Sequence, residues 1–373
     1  MLLATLVAVA VAFVSALIAA RAVMAAGIMD APSSVRKVHR APTPTSGGLG
    51  IALAFAAALA AAGAPGAVHW AFPIEPGAAA GLAGCAAAGF ALLVIGVIDD
   101  AWPLSPRLKF ALMATIACLF AAFVASAPGL TVSSGLDIPL PAQLAIAGSA
   151  LFFFTLVNAV NFMDGANGLA IGSTAIGVAG LGAIVAAHDA GALALACAAA
   201  AAAMAGFLVW NFPAGRVFAG DAGSLFCGGL AAGLSLAAVQ DAGVSVFVPP
   251  ILFFPMLADV LLTLAWRVGR RRSAFKSHRD HLFQVGLRNG LSHRRVTLTY
   301  WIAAVHCALI AFLVSFAAKI DVAAIAKAPI AYQFAAWVAA LSPLFAWAAL
   351  ALVSLRISRK VRAFAASRGL DGE

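Results

Sequence analysis

The chain has 373 residues, 64% of them hydrophobic and only 10% charged, with a formal net charge of +9. An ordinary soluble domain is about 45–50% apolar and about 25% charged, so this composition excludes a water-soluble globule. The positive charge does not indicate a nucleic-acid partner, because its distribution along the chain follows a different rule, set out below.

A helix crossing a hydrocarbon core about 30 Å thick needs about 20 apolar residues. Apolar runs between polar breaks predict eleven spans, at 2–29, 47–67, 77–98, 108–126, 142–160, 169–187, 190–210, 223–240, 245–266, 298–317 and 331–355. The Ala- and Gly-rich content suits helices that pack closely in lipid. Sustained alternation of the barrel kind is absent, so strands are not favoured. The expected fold is an all-α polytopic membrane protein, a single domain over 1–373 with one large loop at 267–297. When the connections are assigned alternately to two sides, all but Arg21, Lys319 and Lys327 of the 23 Lys and Arg fall on one side. The positive-inside rule makes that side cytoplasmic, with the N-terminus outside and the C-terminus inside. The first run lacks a basic start and is long for a signal peptide, so it reads as a true span. Five cysteines lie in separate apolar runs without metal spacing and read as small core hydrophobes.

Five polar patches interrupt the apolar sequence, and all five fall on the predicted cytoplasmic side. VRKVHRAPTPTSGGLG (35–50) combines cations with helix-stopping Pro42 and Pro44, and Gly47–Gly48 permits close approach of a backbone. GVIDD (96–100) sets Asp99 and Asp100 at the end of a span, followed by Arg107 and Lys109. NAVNFMDGANGLA (158–170) carries Asn158, Asn161 and two turn-prone pairs, Asp164–Gly165 and Asn167–Gly168. NFPAGRVFAGDAGS (211–224) ends a helix at Asn211 and Pro213, sets Asp221 between glycines, and places Ser224 to cap the next helix. RVGRRRSAFKSHRDHLFQ (267–284) is polybasic and carries His278, Arg279 and His281; Asp259 lies in the span before it, an intramembrane acid that is a functional candidate by default. Each patch also has an ordinary reading as a basic loop, a helix cap or a tight turn. Their convergence on one face is what carries weight. Acids with cations, and too few His or Cys for zinc, suit Mg²⁺ chemistry on phosphates, because Mg²⁺ takes one or two carboxylates together with substrate phosphates and water.

PTPTSGG, GVIDD, NAVNFMDGANGLA and FAGDAGS, in that order on one side, resemble the polyprenyl-phosphate N-acetylhexosamine-1-phosphate transferase family. That family includes the phospho-MurNAc-pentapeptide translocase and the enzymes initiating O-antigen and enterobacterial common antigen. The resemblance runs from about residue 36 to 290 and implies the reaction. A lipid phosphate, undecaprenyl phosphate, attacks the β-phosphate of a UDP-sugar, releasing UMP. It implies that Asp99 and Asp100 are catalytic and that Asp221 binds Mg²⁺ (or Mn²⁺). It also implies that Arg40, Asn161, Asp164, Asn167, Phe218 and His281 bind substrate. Lys109, Asn211, Asp259, His278 and Arg279 are further candidates. The expected setting is the bacterial inner membrane with the site on its cytoplasmic face, and the partners are the UDP-sugar, the polyprenyl phosphate, the bilayer and, as a further expectation, a second copy in a homodimer.

The chain departs from the family pattern in places. Asn167 stands where many members have Asp, and an amide still bonds a uracil edge. SHRDHLFQ has Phe283 and Gln284 where several members have histidines, and His278 in place of an acid. That variant resembles the O-antigen-initiating branch and implies UDP-GlcNAc or a deoxy-N-acetylhexosamine. A transporter is the rival reading, but a carrier places polar groups near the midplane of repeated halves, and neither feature is present here. A membrane scaffold would not need the repeated acids.

Overall fold

The computed structural model describes residues 2–26, 29–30, 43–44, 47–63, 76–133, 136–273, 278–319, 325, 327 and 329–369. Arg40 and most of the first basic patch lie outside them. The helices in chain order are α1 (Leu2–Ala26), α2 (Gly47–Gly63), α3 (Pro76–Ala101), α4 (Pro106–Phe123), α5 (Ala142–Met163), α6 (Leu169–Ala186) and α7 (Gly191–Asn211). There follow α8 (Gly220–Asp241), α9 (Val248–Leu252), α10 (Phe254–Gly269), α11 (Leu282–Arg288), α12 (His293–Ala317), α13 (Ile330–Ala340) and α14 (Ser342–Ser367).

Eight of these helices are long and apolar enough to cross a membrane, or nine if α13 and α14, bent by 58° at Leu341, make one span. Each of the eleven apolar runs falls on a helical element. The runs outside the eight or nine lie on α2, which has 17 residues, and on the broken pair α9–α10, interrupted at Phe253. Two short antiparallel ribbons also occur. One pairs β1 (Met29–Asp30) with β2 (Thr43–Pro44); the other pairs β3 (Gly129–Ser133) with β4 (Leu136–Pro139) between α4 and α5. β2, β3 and β4 lie outside the predicted spans and β1 touches only the last residue of the first, which is why the absence of barrel-type alternation does not reveal them.

The architecture is organised around α8, which packs on α3, α5 and α2. All of its most apolar 18-residue stretch is buried, whereas the next most buried span, α6, reaches 67%. In lipid no hydrophobic force drives helices together, so close van der Waals approach must do so, and small residues permit it. Two glycines packed against the start of α8 illustrate the constraint. A Cβ on Gly48 of α2 would collide with the backbone of Gly223, and a Cβ on Gly96 of α3 would collide with the backbone at Asp221 and Ala222. The glycines of TSGG, GVIDD and AGDAGS therefore let three helix ends meet.

Candidate active site

The meeting point is where the acids converge. Ser105 caps α4, its Oγ accepting from the Leu108 N–H, and Pro106 occupies the first turn. This start places Lys109 one turn into α4, facing the end of α3. Its Nζ lies 2.8 Å from Asp99 Oδ2 and 2.9 Å from Asp221 Oδ2, and it donates to Asn161 Oδ1 at 3.5 Å. The other oxygen of Asp99 accepts the Leu104 N–H at 2.7 Å, which fixes the chain between α3 and α4. Lys109 and Asp99 are mostly buried, with side chains 13% and 11% exposed, while the Asp221 side chain is 33% exposed.

Asp100 plays a different part. Its two oxygens accept the backbone N–H groups of Asp221 at 2.9 Å and Ala222 at 3.1 Å. These belong to the first turn of α8, whose N–H groups lack partners within the helix and whose dipole favours an anion. Asp100 thus caps α8 from the neighbouring helix. That corrects the expectation that Ser224 does so. Ser224 lies inside α8, its Oγ donating to Gly220 O at 3.1 Å and accepting from Asn161 Nδ2 at 2.9 Å. Asn161 Nδ2 also donates to Asp221 Oδ1 at 2.5 Å. Asp164 ends α5 one turn later. Burial first, then the charges of Asp221 and Asp100, push its carboxyl up to about 7.

Asn167 and Asn211 belong to a neighbouring turn cluster. Asn211, itself buried, accepts the Gly168 N–H on Oδ1 at 2.6 Å and donates to Val217 O at 2.7 Å. Gly168 adopts φ 75°, a conformation that glycine enters freely. Asn167 donates to Pro213 O at 3.0 Å and its carbonyl accepts from Thr297 Oγ1. The Phe218 carbonyl accepts the Gly47 N–H at 3.0 Å, holding α2 in place.

A third cluster surrounds the long loop. Asp259, buried in α10, accepts the N–H groups of Leu282 and Phe283 at 2.8 and 3.2 Å, the Tyr300 hydroxyl at 2.6 Å and the Thr263 hydroxyl at 3.1 Å. His281 Nδ1 lies 3.5 Å from it. The predicted intramembrane acid is therefore a cap on α11, with His281 at its N-terminal boundary. The His281 ring stacks on Phe283 and lies 6.0 Å from Phe162, the residue after Asn161. The His278 ring lies 5.0 Å from it. Burial, followed by the proximity of His281 and Arg267, pulls His278 down to about 4, so it is neutral at pH 7.

The structure thus joins Asp99, Asp100, Lys109, Asn161 and Asp221 in one constellation, with Asp164 in its field. Asn167 with Asn211, and Asp259 with His278 and His281, form its flanks. Sequence reading misses Ser224 as an Asn161 partner, together with Arg267, Asp280, Thr263 and Tyr300. The spacing of Asp259 and Thr263, one helical turn apart, is the signal available for part of that set.

Oxygen donors backed by an ammonium meet at the junction of three helix ends in a polytopic membrane protein. Residues 82–239, from α3 to the end of α8, match the sequence model described as glycosyl transferase family 4. The chain is 32% identical over 292 residues to decaprenyl-phosphate N-acetylglucosaminephosphotransferase of Mycobacterium leprae (strain TN), covering 72% of each chain. It is 27% identical to a probable undecaprenyl-phosphate N-acetylglucosaminyl 1-phosphate transferase of Bacillus subtilis (strain 168), covering 74% of each. It is 30% identical to phospho-N-acetylmuramoyl-pentapeptide-transferase of Corynebacterium diphtheriae, covering 75% of this chain and 86% of the relative. The chain belongs to glycosyl transferase family 4, the polyprenyl-phosphate N-acetylhexosamine-1-phosphate transferases.

Proposed function

We propose that this protein transfers an N-acetylhexosamine-1-phosphate from a UDP-sugar to polyprenyl phosphate at the cytoplasmic face of the inner membrane. A phosphate oxygen of the lipid attacks the β-phosphorus of the UDP-sugar. The bond from that phosphorus to the oxygen bridging the two phosphates breaks, and UMP leaves with the bridging oxygen. The observation that carries the reading is the bridge from Lys109 to both Asp99 and Asp221, with Asn161 bound to Asp221.

Phosphoryl transfer asks a protein mainly for positioning and charge neutralisation. Lys109 supplies a fixed positive charge between the carboxylates, and Asp100 holds the first turn of α8 so that Asp221 keeps its place. Among the described residues, no group of three or more His, Cys, Asp or Glu is arranged to hold a metal by itself. Mg²⁺ needs only one or two carboxylates from a protein, because substrate phosphates and water complete its shell. The donors are all oxygen: Asp221 and Asp99 would hold the ion, with Asn161 beside them. When bound, Mg²⁺ offsets the repulsion between two anionic substrates.

The names of the mycobacterial and Bacillus relatives support N-acetylglucosamine as the sugar, and use of the product in O-antigen assembly is a further proposal resting on the SHRDHLFQ variant. The test is purified protein with Mg²⁺, undecaprenyl phosphate and a panel of UDP-sugars, assayed for UMP. Release that depends on the lipid supports the reading. No release with any sugar overturns it.

A further inference from the structure

The matched family region ends at residue 239, yet the last helix reaches back to the loop that carries His278 and His281. The C-terminal half of α14 is basic, with Arg356, Arg359, Lys360 and Arg362, and Arg368 is its C-cap. Of these, Arg362 is the one buried, at 8% exposure. Its guanidinium lies 4.1 Å over the Trp266 ring of α10. One nitrogen donates to Thr263 Oγ1 at 3.0 Å and to the Asp280 carbonyl at 3.2 Å.

Both contacts lead to His281. Asp280 precedes it in the chain, and the Asp280 carboxylate, itself buried, pairs with Arg267 of α10. Thr263 donates to Asp259, and Asp259 accepts the N–H groups of Leu282 and Phe283, the two residues after His281. A buried charge is expensive unless paired and hydrogen-bonded, so a guanidinium held in this way fixes its partners as firmly as they fix it. A planar group that stacks on an aromatic face while donating from its edge is a role lysine fills only in part.

We propose that Arg362 is a positioning residue for the nucleotide-sugar: it makes the C-terminal helix a strut that clamps both flanks of His281. The inference rests on the transferase reading and extends it to a helix beyond the matched family region. By the positive-inside rule the basic loop is expected on the cytoplasmic side, from which the soluble substrate arrives. The lipid enters from the bilayer, so the strut acts on one substrate and not on the other.

The experiment compares full-length wild-type protein with Arg362→Ala and Arg362→Lys in detergent. It measures kcat and both KM values, together with backbone hydrogen exchange. In Arg362→Ala the KM for the UDP-sugar rises about tenfold, the scale of one or two hydrogen bonds to a charged group. The KM for polyprenyl phosphate stays unchanged. Amides of 281–288 exchange faster, while those of 221–224 do not, which shows that the core remains folded. Arg362→Lys recovers part of the KM. An equal rise in both KM values, a lysine variant no better than alanine, or unchanged exchange over 281–288 overturns the proposal. Wild-type protein that releases no UMP overturns the transferase reading instead, and the exchange measurement then judges the strut alone.

Discussion

Asp100→Asn tests how the cap on α8 acts. The carboxylate accepts two backbone N–H groups, whereas the single amide oxygen of asparagine keeps one and carries no charge. Losing one hydrogen bond to a charged group costs about 1.5–3 kcal/mol, and losing an anion at a helix N-terminus costs about 0.3–1 kcal/mol. Asp100 is exposed, and solvent screening places both contributions at the low end, together about 2 kcal/mol. If the whole of that appears in the transition state, through displacement of Asp221, kcat/KM falls about 30-fold. UMP release measures it, with hydrogen exchange at Asp221 and Ala222 to show that the cap has loosened. A rate within about threefold of wild type would refute the cap as a contributor to turnover. A loss beyond about 1,000-fold would refute positioning as the whole of its role and place the carboxylate in contact with a reacting phosphate.

Other outcomes follow from the same geometry. Lys109→Met leaves Asp99 and Asp221 facing each other without their ammonium; UMP release falls at least about 100-fold, and thermal unfolding shifts downward by the equivalent of about 2–3 kcal/mol, below the full cost of breaking a buried pair because Asp221 is partly exposed. Gly48→Ala forces apart two backbones and destabilises the protein by about 1–3 kcal/mol, while Gly148→Ala, inside α5 with open space around the added carbon, leaves the melting temperature no lower and raises it by the equivalent of up to about 1 kcal/mol. Asp164 has its carboxyl raised to about 7 from 3.8, so the folded state holds a proton that the unfolded state has released. Its contribution to stability is full below about pH 4 and is lost as pH rises to about 7, a span of about 4 kcal/mol. Asp164→Asn flattens that slope in unfolding measured against pH, and an unaltered slope would refute the burial argument.

Much of the site is legible in the sequence because its chemistry is costly in lipid. Acids and amides in an apolar chain stand out one by one, and charge bias places them on one face. Gly47–Gly48 is readable as a close approach, and the structure shows the partner, Gly223. What sequence cannot supply is the division of labour among like residues. Asp99 and Asp100 are adjacent and chemically identical, yet one pairs with Lys109 and the other caps α8, because consecutive residues on a helix point about 100° apart. Asp259 is legible as an anomaly but not as a cap, since its partners lie 23 and more residues away. Ser224 misleads for the reverse reason: a serine near a helix start suggests self-capping, and here an acid from another helix takes that place. The short ribbons, β3–β4 among them, are missed because a membrane pattern speaks only to the segments inside the bilayer.

The burial of α8 has a consequence for how the protein meets membranes of different thickness. A helix that touches lipid answers to the depth of the hydrocarbon layer, tilting or sinking at a cost of fractions of a kcal/mol per Å of mismatch. The apolar stretch of α8 is enclosed by its neighbours along its whole length, so no lipid chain pulls on it. The height of Asp221 is set by the glycine contacts to α2 and α3 and by the Asp100 cap. Mismatch acts on the less buried helices, α3 among them, and the glycine contacts and the Asp100 cap tie the level of Asp221 to the end of α3.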